Sequence, residues 1–233
     1  MALNQKHLLI YLPDSNSQEI IELLGWSGSQ KMSPESDYIL VADTNLGNKS
    51  NHSVIQSLTY DVEIQLDQSR TSNLRIQYDY FDTLAKDDPA VDPEFHGPID
   101  YKTLTQIHLP ANIEIIEEEN LNQMSVVQDE ESSLIITRVD VDYDTSERVQ
   151  LKYSTPPVEN SIGDFFKYQL LIQKQPGSKV QTMNLQIKLP PEAKVVSLSP
   201  EASAEYDLGT TILDFRLDLL SDQWIEVIYV LES

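Results

Sequence analysis

The sequence predicts a mainly β protein, in which a short α/β segment is followed by two antiparallel β-sandwiches in tandem. Two observations support this prediction. From Val54 onward, apolar residues recur at every second position, which is the period of a strand with one buried face. The same stretch holds many short strand candidates and no convincing helix, a pattern typical of sandwiches rather than of α/β enzyme cores.

The α/β segment covers residues 1–52. Residues 7–12 are apolar and predict a short strand, and residues 38–42 predict a second, buried one. Between them, Asn16 and Glu19 have the spacing of a helix N-cap and its reciprocal partner, and Gly25 is a natural helix stop. The segment is too small to hold a core of its own.

Alternating patterns and turn residues place the strands of the remaining chain. The predicted strands are residues 58–66, 74–80, 103–109, 113–117, 134–143, 148–153, 168–174, 183–189, 195–198, 211–219 and 224–231. A Thr-Pro-Pro break at residues 155–157 divides them into two groups.

An internal repeat relates these two groups. Residues 104–116 resemble residues 183–196, and Leu109 with its following proline matches Leu189 with its own. Further on, Arg138 and Arg216 each open an Arg-x-Asp sequence in a similar strand, and residues 149–153 match residues 225–229. We therefore expect two immunoglobulin-like sandwiches, 53–155 and 156–233, with Arg138 and Arg216 at equivalent strand positions.

Composition excludes several classes of function. The 233 residues include 38 acidic and only 16 basic side chains, so the formal net charge is −22. A nucleic-acid binder or a protein that docks on anionic lipid needs clustered Lys and Arg, so neither partner is expected. The absence of cysteine excludes disulfides, thiolate catalysis and Cys-based metal sites. Mutual repulsion also predicts a monomer at neutral pH.

Two acidic groups are candidate calcium sites. Asp140, Asp142 and Asp144 alternate with apolar residues, which predicts three carboxylates on one strand face. A second candidate is the loop with Asp87, Asp88, Asp92, Glu94 and Asp100. Neither spacing matches a defined calcium loop, so the favoured interpretation is a solvated acidic face without a metal or other cofactor.

Two stretches show a family resemblance. Gly25-Trp26 follows the predicted helix, and Asp43, Asn45, Gly47 and Lys49, with Asn48, form a polar motif before the first long strand. With the Lys-Gln-Pro-Gly sequence at residues 174–177, these features resemble the C-terminal region of the bacterial domain-of-unknown-function family 4012. The resemblance covers most of the chain, but it assigns no activity to these residues.

The resemblance implies an extracytoplasmic location at a bacterial cell surface. Family members are membrane-anchored, and their upstream domain looks distantly like the LytR–CpsA–Psr phosphotransferases, which attach glycopolymers to cell wall. On this view residues 1 to about 51 are the tail of that domain. This chain shows neither a signal sequence nor an anchor.

The favoured function is therefore non-catalytic, a stalk or interaction module that contacts cell-envelope polysaccharide or another surface protein. One alternative is an accessory region of an enzyme that acts on cell-envelope glycopolymer, in which Asp43, Asn45 and Lys49 contribute to a site. A second alternative is a carbohydrate-binding module. For Asp43, Asn45 and Lys49 themselves we expect a turn, with Asp43 bonded to backbone N–H groups nearby.

Overall fold

A computed structural model describes residues 2–47, 49–85, 88, 91, 99–158 and 160–232. Within these residues the structure is mainly β, with helix α1 at Ser15–Leu23 and the four-residue helix α2 at Asp82–Ala85. The strands of the first part of the chain are β1 (Asp37–Asn45), β2 (Ile55–Ile64), β3 (Arg70–Tyr80), β4 (Tyr101–Pro110), β5 (Glu114–Glu119), β6 (Asn122–Gln128), β7 (Ser132–Val141) and β8 (Thr145–Thr155). Those of the second part are β9 (Ser161–Ile162), β10 (Phe165–Ile172), β11 (Gln181–Lys188), β12 (Ala193–Ser199), β13 (Ala204–Asp207), β14 (Thr211–Leu219) and β15 (Gln223–Leu231).

The described strands form two sheets, and both sheets run through both parts of the chain. Sheet I has the order β12-β15-β10-β1-β4-β7-β6, with β9 beside β10, and sheet II has the order β13-β14-β11-β2-β3-β8-β5. Strand β1 joins the two parts in sheet I, and β2 joins them in sheet II. Both hydrogen-bonded sheets cross the boundary predicted at residues 155–156. The division into two separate sandwiches therefore remains a prediction.

The sheets are mixed, whereas the sequence predicts antiparallel ones. Strand β1 is antiparallel to β4 but parallel to β10, and β2 is antiparallel to β3 but parallel to β11. The reason is that these joining strands pair with strands far away in sequence. Alternation reports which face is buried, but it carries no information on the direction of a distant neighbour.

One hydrophobic cluster lies between the sheets. Buried residues alternate along β2 and β3, as the sequence predicts. The cluster's largest fully buried side chains include four tyrosines of sheet II, Tyr60, Tyr78, Tyr80 and Tyr153, and Tyr229 of sheet I. The cluster takes residues from both parts of the chain, so the two parts share a core.

Strand order and register repeat between the two parts. The groups β3-β8-β5 and β4-β7-β6 correspond to β10-β15-β12 and β11-β14-β13, each group lying in the opposite sheet from its counterpart. Arg138 pairs with Leu104 across β7 and β4, and Arg216 pairs with Asn184 across β14 and β11. Alignment of the first Leu-Pro pair with the second also equates residue 104 with residue 184. The two arginines therefore occupy equivalent strand positions, as the sequence predicts.

The N-terminal segment differs from its prediction in two ways. Helix α1 is capped by Asp14, whose carboxylate accepts the Ser17 N–H at 2.9 Å, rather than by Asn16. Residues 7–12 form no strand: Leu8, Leu9 and Tyr11 are exposed, and the Ile10 N–H donates to the Trp26 carbonyl oxygen at 2.8 Å rather than to a sheet. The predicted helix stop is confirmed at Gly25, which has a φ of +75°.

Candidate functional site

Asp43, near the end of β1, is the centre of a buried polar cluster. Its carboxylate accepts four hydrogen bonds, from Thr105 Oγ1 at 2.8 Å, Tyr78 OH at 3.0 Å, Tyr101 OH at 3.1 Å and Gln56 Nε2 at 2.9 Å. An ionised carboxylate has about four acceptor positions, so these donors saturate it. Asp43 therefore links strands β1, β2, β3 and β4 of the two sheets and has no acceptor position left for a ligand.

Among the residues that the structure describes, the Asp43 carboxylate has no cationic partner. No Lys, Arg or His nitrogen in the described part of the chain forms an ion pair with it. Burial raises the pKa of Asp43, and the hydrogen bonds from Thr105, Tyr78 and Tyr101 oppose that rise. The pKa of Tyr78 is also raised well above its usual value, first by burial and then by the Asp43 charge.

The backbone of Asp43 is held by a distant glutamine. The Asp43 N–H donates to Gln175 Oε1 at 3.0 Å, and Gln175 Nε2 donates to the Asp43 carbonyl oxygen at 2.9 Å. This pair of bonds connects the polar motif at residues 43–49 with the Lys-Gln-Pro-Gly stretch at residues 174–177. The sequence contains both stretches, but no spacing rule relates segments 132 residues apart.

A cleft of about 270 Å³ lies at this junction. Its walls combine amides from Asn45, Asn51 and Gln175 with apolar side chains from Ile55 and Val180. Amides both donate and accept hydrogen bonds, which makes such a surface suited to neutral polyhydroxyl ligands.

Asn45 is the last residue of β1, and Gly47 and Lys49 lie in bends after it. The Asn45 side chain accepts the Gly47 N–H at 3.0 Å, which is the local bond of an Asx turn. Lys49 immediately precedes a one-turn 3-10 helix at Ser50–His52. For Asp43 the prediction is wrong, because Asp43 lies within β1 and its carboxylate accepts bonds from side chains rather than from backbone N–H groups. Asn48 lies outside the described residues.

The three aspartates proposed as a calcium row are not on one strand face. Strand β7 ends at Val141, so Asp142 and Asp144 belong to the following turn. Asp140 accepts from Arg138 Nε at 2.9 Å, and Asp144 accepts the Asp82 N–H at 2.9 Å. Asp142 follows the end of β7, and the positive φ of Asp144, +60°, takes the Asp144 carboxylate out of the strand period.

The second acidic group is only partly within the described residues. Asp87, Asp92 and Glu94 lie outside them. Asp88 accepts from Ser53 Oγ at 2.6 Å, and Asp100 accepts the Tyr143 N–H at 3.3 Å. Among the residues that the structure describes, no group of three or more His, Asp or Glu side chains could hold a metal ion.

A second buried polar cluster fixes the N-terminal segment. Lys6 Nζ lies 2.6 Å from Asp222 Oδ1, and the same oxygen accepts the Lys174 N–H at 3.0 Å. The Lys174 ammonium is also buried and donates to the Ser178 carbonyl oxygen at 3.0 Å. Burial lowers the pKa of both lysines, and the Asp222 carboxylate opposes this.

Comparisons with known proteins yield no family. No family model matches the chain, and neither does any curated protein. Among solved structures, similarity extends to a Legionella pneumophila protein described as a "putative nutrient binding protein", at 7% identity and a TM-score of 0.47, over 82% of this chain and 72% of that one. An M1 zinc metallopeptidase from Deinococcus radiodurans has 13% identity and a TM-score of 0.39, over 76% of this chain and 42% of the peptidase.

A two-domain M1 zinc metallopeptidase variant bound to L-tryptophan has 12% identity and a TM-score of 0.39 over 79% of this chain. The chain spans less than half of these peptidase chains. At such identities and scores the likenesses carry no functional argument. In the described part of the chain, no helix has the length and apolar character needed to cross a membrane.

Proposed function

We propose that this chain is a non-catalytic, extracytoplasmic interaction module of a bacterial cell-surface protein. In this proposal a tandem immunoglobulin-like repeat is fused into one rigid body. The observation that supports it best is the path of the two sheets. Strand β1 forms six residue pairs with β4 and three with β10, and β2 forms ten with β3 and seven with β11. Both strands therefore pair with both parts of the chain.

This pairing distinguishes the chain from ordinary tandem domains. Domains joined by a linker move relative to each other unless their interface is large and apolar. Here the two parts share backbone ladders in both sheets and one hydrophobic cluster. A body without a hinge between its repeats suits a spacer or a platform that holds a partner at a fixed distance.

The saturated hydrogen bonding of the Asp43 carboxylate supports a non-catalytic role. Asp43 is the acidic residue of the polar motif, and a catalytic carboxylate needs an acceptor position or a proton available to the substrate. All four acceptor positions of Asp43 are used within the fold. The arrangement favours a structural role for the motif over a contribution to a glycopolymer-modifying site.

Location at the cell surface rests on the family resemblance and on charge. A net charge of −22 favours a soluble, monomeric chain that does not adhere to anionic lipid or polymer. The test is labelling of intact cells of a bacterium that carries the gene, with a membrane-impermeant amine reagent. Exposed lysines such as Lys194, 64% exposed at its side chain, should react on intact cells. Labelling only after lysis would contradict the proposal.

A second candidate function is carbohydrate binding in the cleft of about 270 Å³. The observation that favours it is the convergence of the Asn45, Asn51 and Gln175 amides beside the Tyr101 ring. A glycan array would test it, with Asn51→Ala as the variant and Lys194→Ala as a surface control. Glycan binding that Asn51→Ala leaves unchanged would place the site elsewhere.

A further inference from the structure

A larger cavity, of about 590 Å³, lies at the end of the sandwich opposite the Asp43 cleft. It is formed where the segment before β1, the β4–β5 and β6–β7 turns and the linker after β8 meet. Much of its wall is apolar, from Met32, Pro34, Pro110, Ala111 and Pro157. Its volume lies within the range of about 300–1,000 Å³ that is typical of small-molecule sites.

The polar group that stands out in this wall is the Arg70 guanidinium. The Arg70 side chain is only 6% exposed, and it lines both this cavity and a small neighbouring one of about 20 Å³. Its Nε donates to Thr155 Oγ1 at 2.9 Å and lies 3.5 Å from Asp37 Oδ2, and its Nη1 donates to the Gln68 carbonyl at 3.4 Å. These contacts fix the guanidinium in one orientation.

The same contacts leave the guanidinium incompletely paired. Asp37 reaches only the Nε side, at a distance longer than a normal hydrogen bond, and it also accepts from Tyr168 OH at 3.1 Å. None of the described residues accepts a hydrogen bond from Nη2. A guanidinium pairs best with a carboxylate through two parallel N–H donors, and this geometry is not satisfied within the fold.

Ser36 is a second incompletely paired group in the same wall. It is 7% exposed, and its Oγ has no hydrogen-bond partner. A buried hydroxyl without a partner costs stability, so its retention beside an open guanidinium position indicates a ligand that accepts hydrogen bonds.

We propose that this cavity binds a small organic carboxylate with an apolar body. The carboxylate pairs with Arg70 and accepts from Ser36, while the apolar body lies against Met32, Ala111 and the prolines. Glu130 and Glu131 also line the cavity, and their negative charge disfavours multiply charged anions such as phosphate. This proposal stands independently of the function proposed above.

The test uses methyl NMR of the whole chain with 3-phenylpropionate as the probe. The Met32 and Ala111 methyl signals should shift, whereas Met183, buried in the core strand β11, should not. The neutral 3-phenylpropionamide and inorganic phosphate, at matched ionic strength, should bind at least about tenfold more weakly. Equal binding of the amide, or no shift at about 10 mM probe, would overturn the proposal.

Variants locate the site. Ala111→Phe fills the cavity without touching the Arg70–Asp37 pair and should abolish the shifts. Val180→Phe makes a change of similar size in the opposite cleft and should leave them intact. Arg70→Lys keeps the charge but loses the planar pair of donors, so binding should weaken about tenfold.

The Met183 signal reports whether each variant is folded. Since Arg70 is buried against Asp37, its variant could unfold, and Ser36→Ala then serves instead. That change should preserve the fold and weaken binding several-fold, because it removes a hydroxyl with no protein partner. Binding that survives Ala111→Phe but not Val180→Phe would assign the probe to the other cleft and overturn the proposal.

Discussion

Ile116 and Val196 are the extra residues of two β-bulges that lie at corresponding places in the two parts of the chain. In β5 the register shifts between Ile115, opposite Tyr153, and Glu117. In β12 it shifts between Val195, opposite Tyr229, and Ser197. The alignment made from the sequence equates Ile116 with Val196 and Tyr153 with Tyr229. A bulge re-aims an edge strand and blocks pairing with other chains, so both parts of the chain protect an edge strand in the same way.

Deletion of either bulge residue should keep the fold but increase self-association. In β12, Ser197 already lies opposite Ile228 and Leu198 opposite Val227, so removal of Val196 leaves a regular ladder with Leu198 still against the core. Removal of Ile116 likewise leaves β5 in register with β8. We expect a loss below about 1 kcal/mol in the free energy of unfolding in urea, and more self-association of the straightened edge strands in analytical ultracentrifugation. A larger loss without any increase in association would contradict this explanation.

Asp43→Ala should strongly destabilise the chain. The change removes the shared acceptor of four donors. Gln56 can still donate to Tyr78 OH at 3.0 Å, and Tyr78 and Thr105 still contact each other at 2.8 Å, whereas each buried donor that is left without a partner costs about 1–3 kcal/mol before the structure relaxes. We expect a loss of at least about 3 kcal/mol in the free energy of unfolding. Asp140→Ala is the matched control, since Asp140 is exposed and bonds only Arg138. A loss below about 1 kcal/mol for Asp43→Ala would show that the cluster is not structural.

The Asp43 cluster should also affect how stability depends on pH. Burial raises the pKa of Asp43 in the folded state above its unfolded value, so ionised Asp43 costs stability at neutral pH. This cost is relieved as the pH falls through the folded-state pKa toward the unfolded value near 3.8.

The measurement is the difference in unfolding free energy between wild type and Asp43→Asn from pH 7 to pH 4. The wild type should gain relative to the variant as the pH falls, because the variant has no carboxyl to protonate. A difference that is constant, or that moves against the wild type, would contradict the raised pKa.

Asp222→Ala should cost more than Lys6→Met. Without Asp222 the buried Lys6 ammonium keeps its charge but loses its carboxylate, and breaking such a pair costs about 3–5 kcal/mol. Without Lys6, the Asp222 side chain is still 15% exposed to water and still accepts the Lys174 N–H. Thermal melts of the two variants give the order, and the reverse order would indicate that Lys6 is not the group Asp222 stabilises.

The chain should unfold as one cooperative unit. Residues 156–233 alone would expose the long edges of β10 and β11 that β1 and β2 cover, so this fragment should remain unfolded or aggregate. Urea unfolding followed by tryptophan fluorescence and by far-UV circular dichroism should give coincident transitions. Two separated transitions would show that the two parts of the chain fold independently.

Local pattern predicted most of the strands but not how they assemble. The alternation of apolar and polar residues over residues 211–219 predicts a strand, and the structure has β14 there. Strand β6 was missed because all but one of its residues are exposed, so burial imposes no alternation. The joining roles of β1 and β2 depend on partners more than 100 residues away, beyond the range of any local pattern.

Only the local part of the candidate site is predictable from the sequence, because contacts between distant strands leave no local pattern. The Asn45–Gly47 turn is local, and turn chemistry in the sequence indicates it. The four donors of Asp43 come from three other strands, so their convergence depends on the sheet order. Nothing in the sequence indicates a binding role for Arg70, because a single arginine at the start of a strand looks like an ordinary surface cation. Only the cavity beside it shows the difference.

The placement of corresponding strands in opposite sheets has a consequence for how the two parts of the chain hold together. In a two-fold symmetric dimer, each subunit likewise contributes the strands that the other contributes to the facing layer. Here a short linker after β8 joins the two parts, which gives the second part a local concentration in the millimolar range around the first. An association that separate subunits would lose on dilution is thereby made independent of how much protein the cell produces.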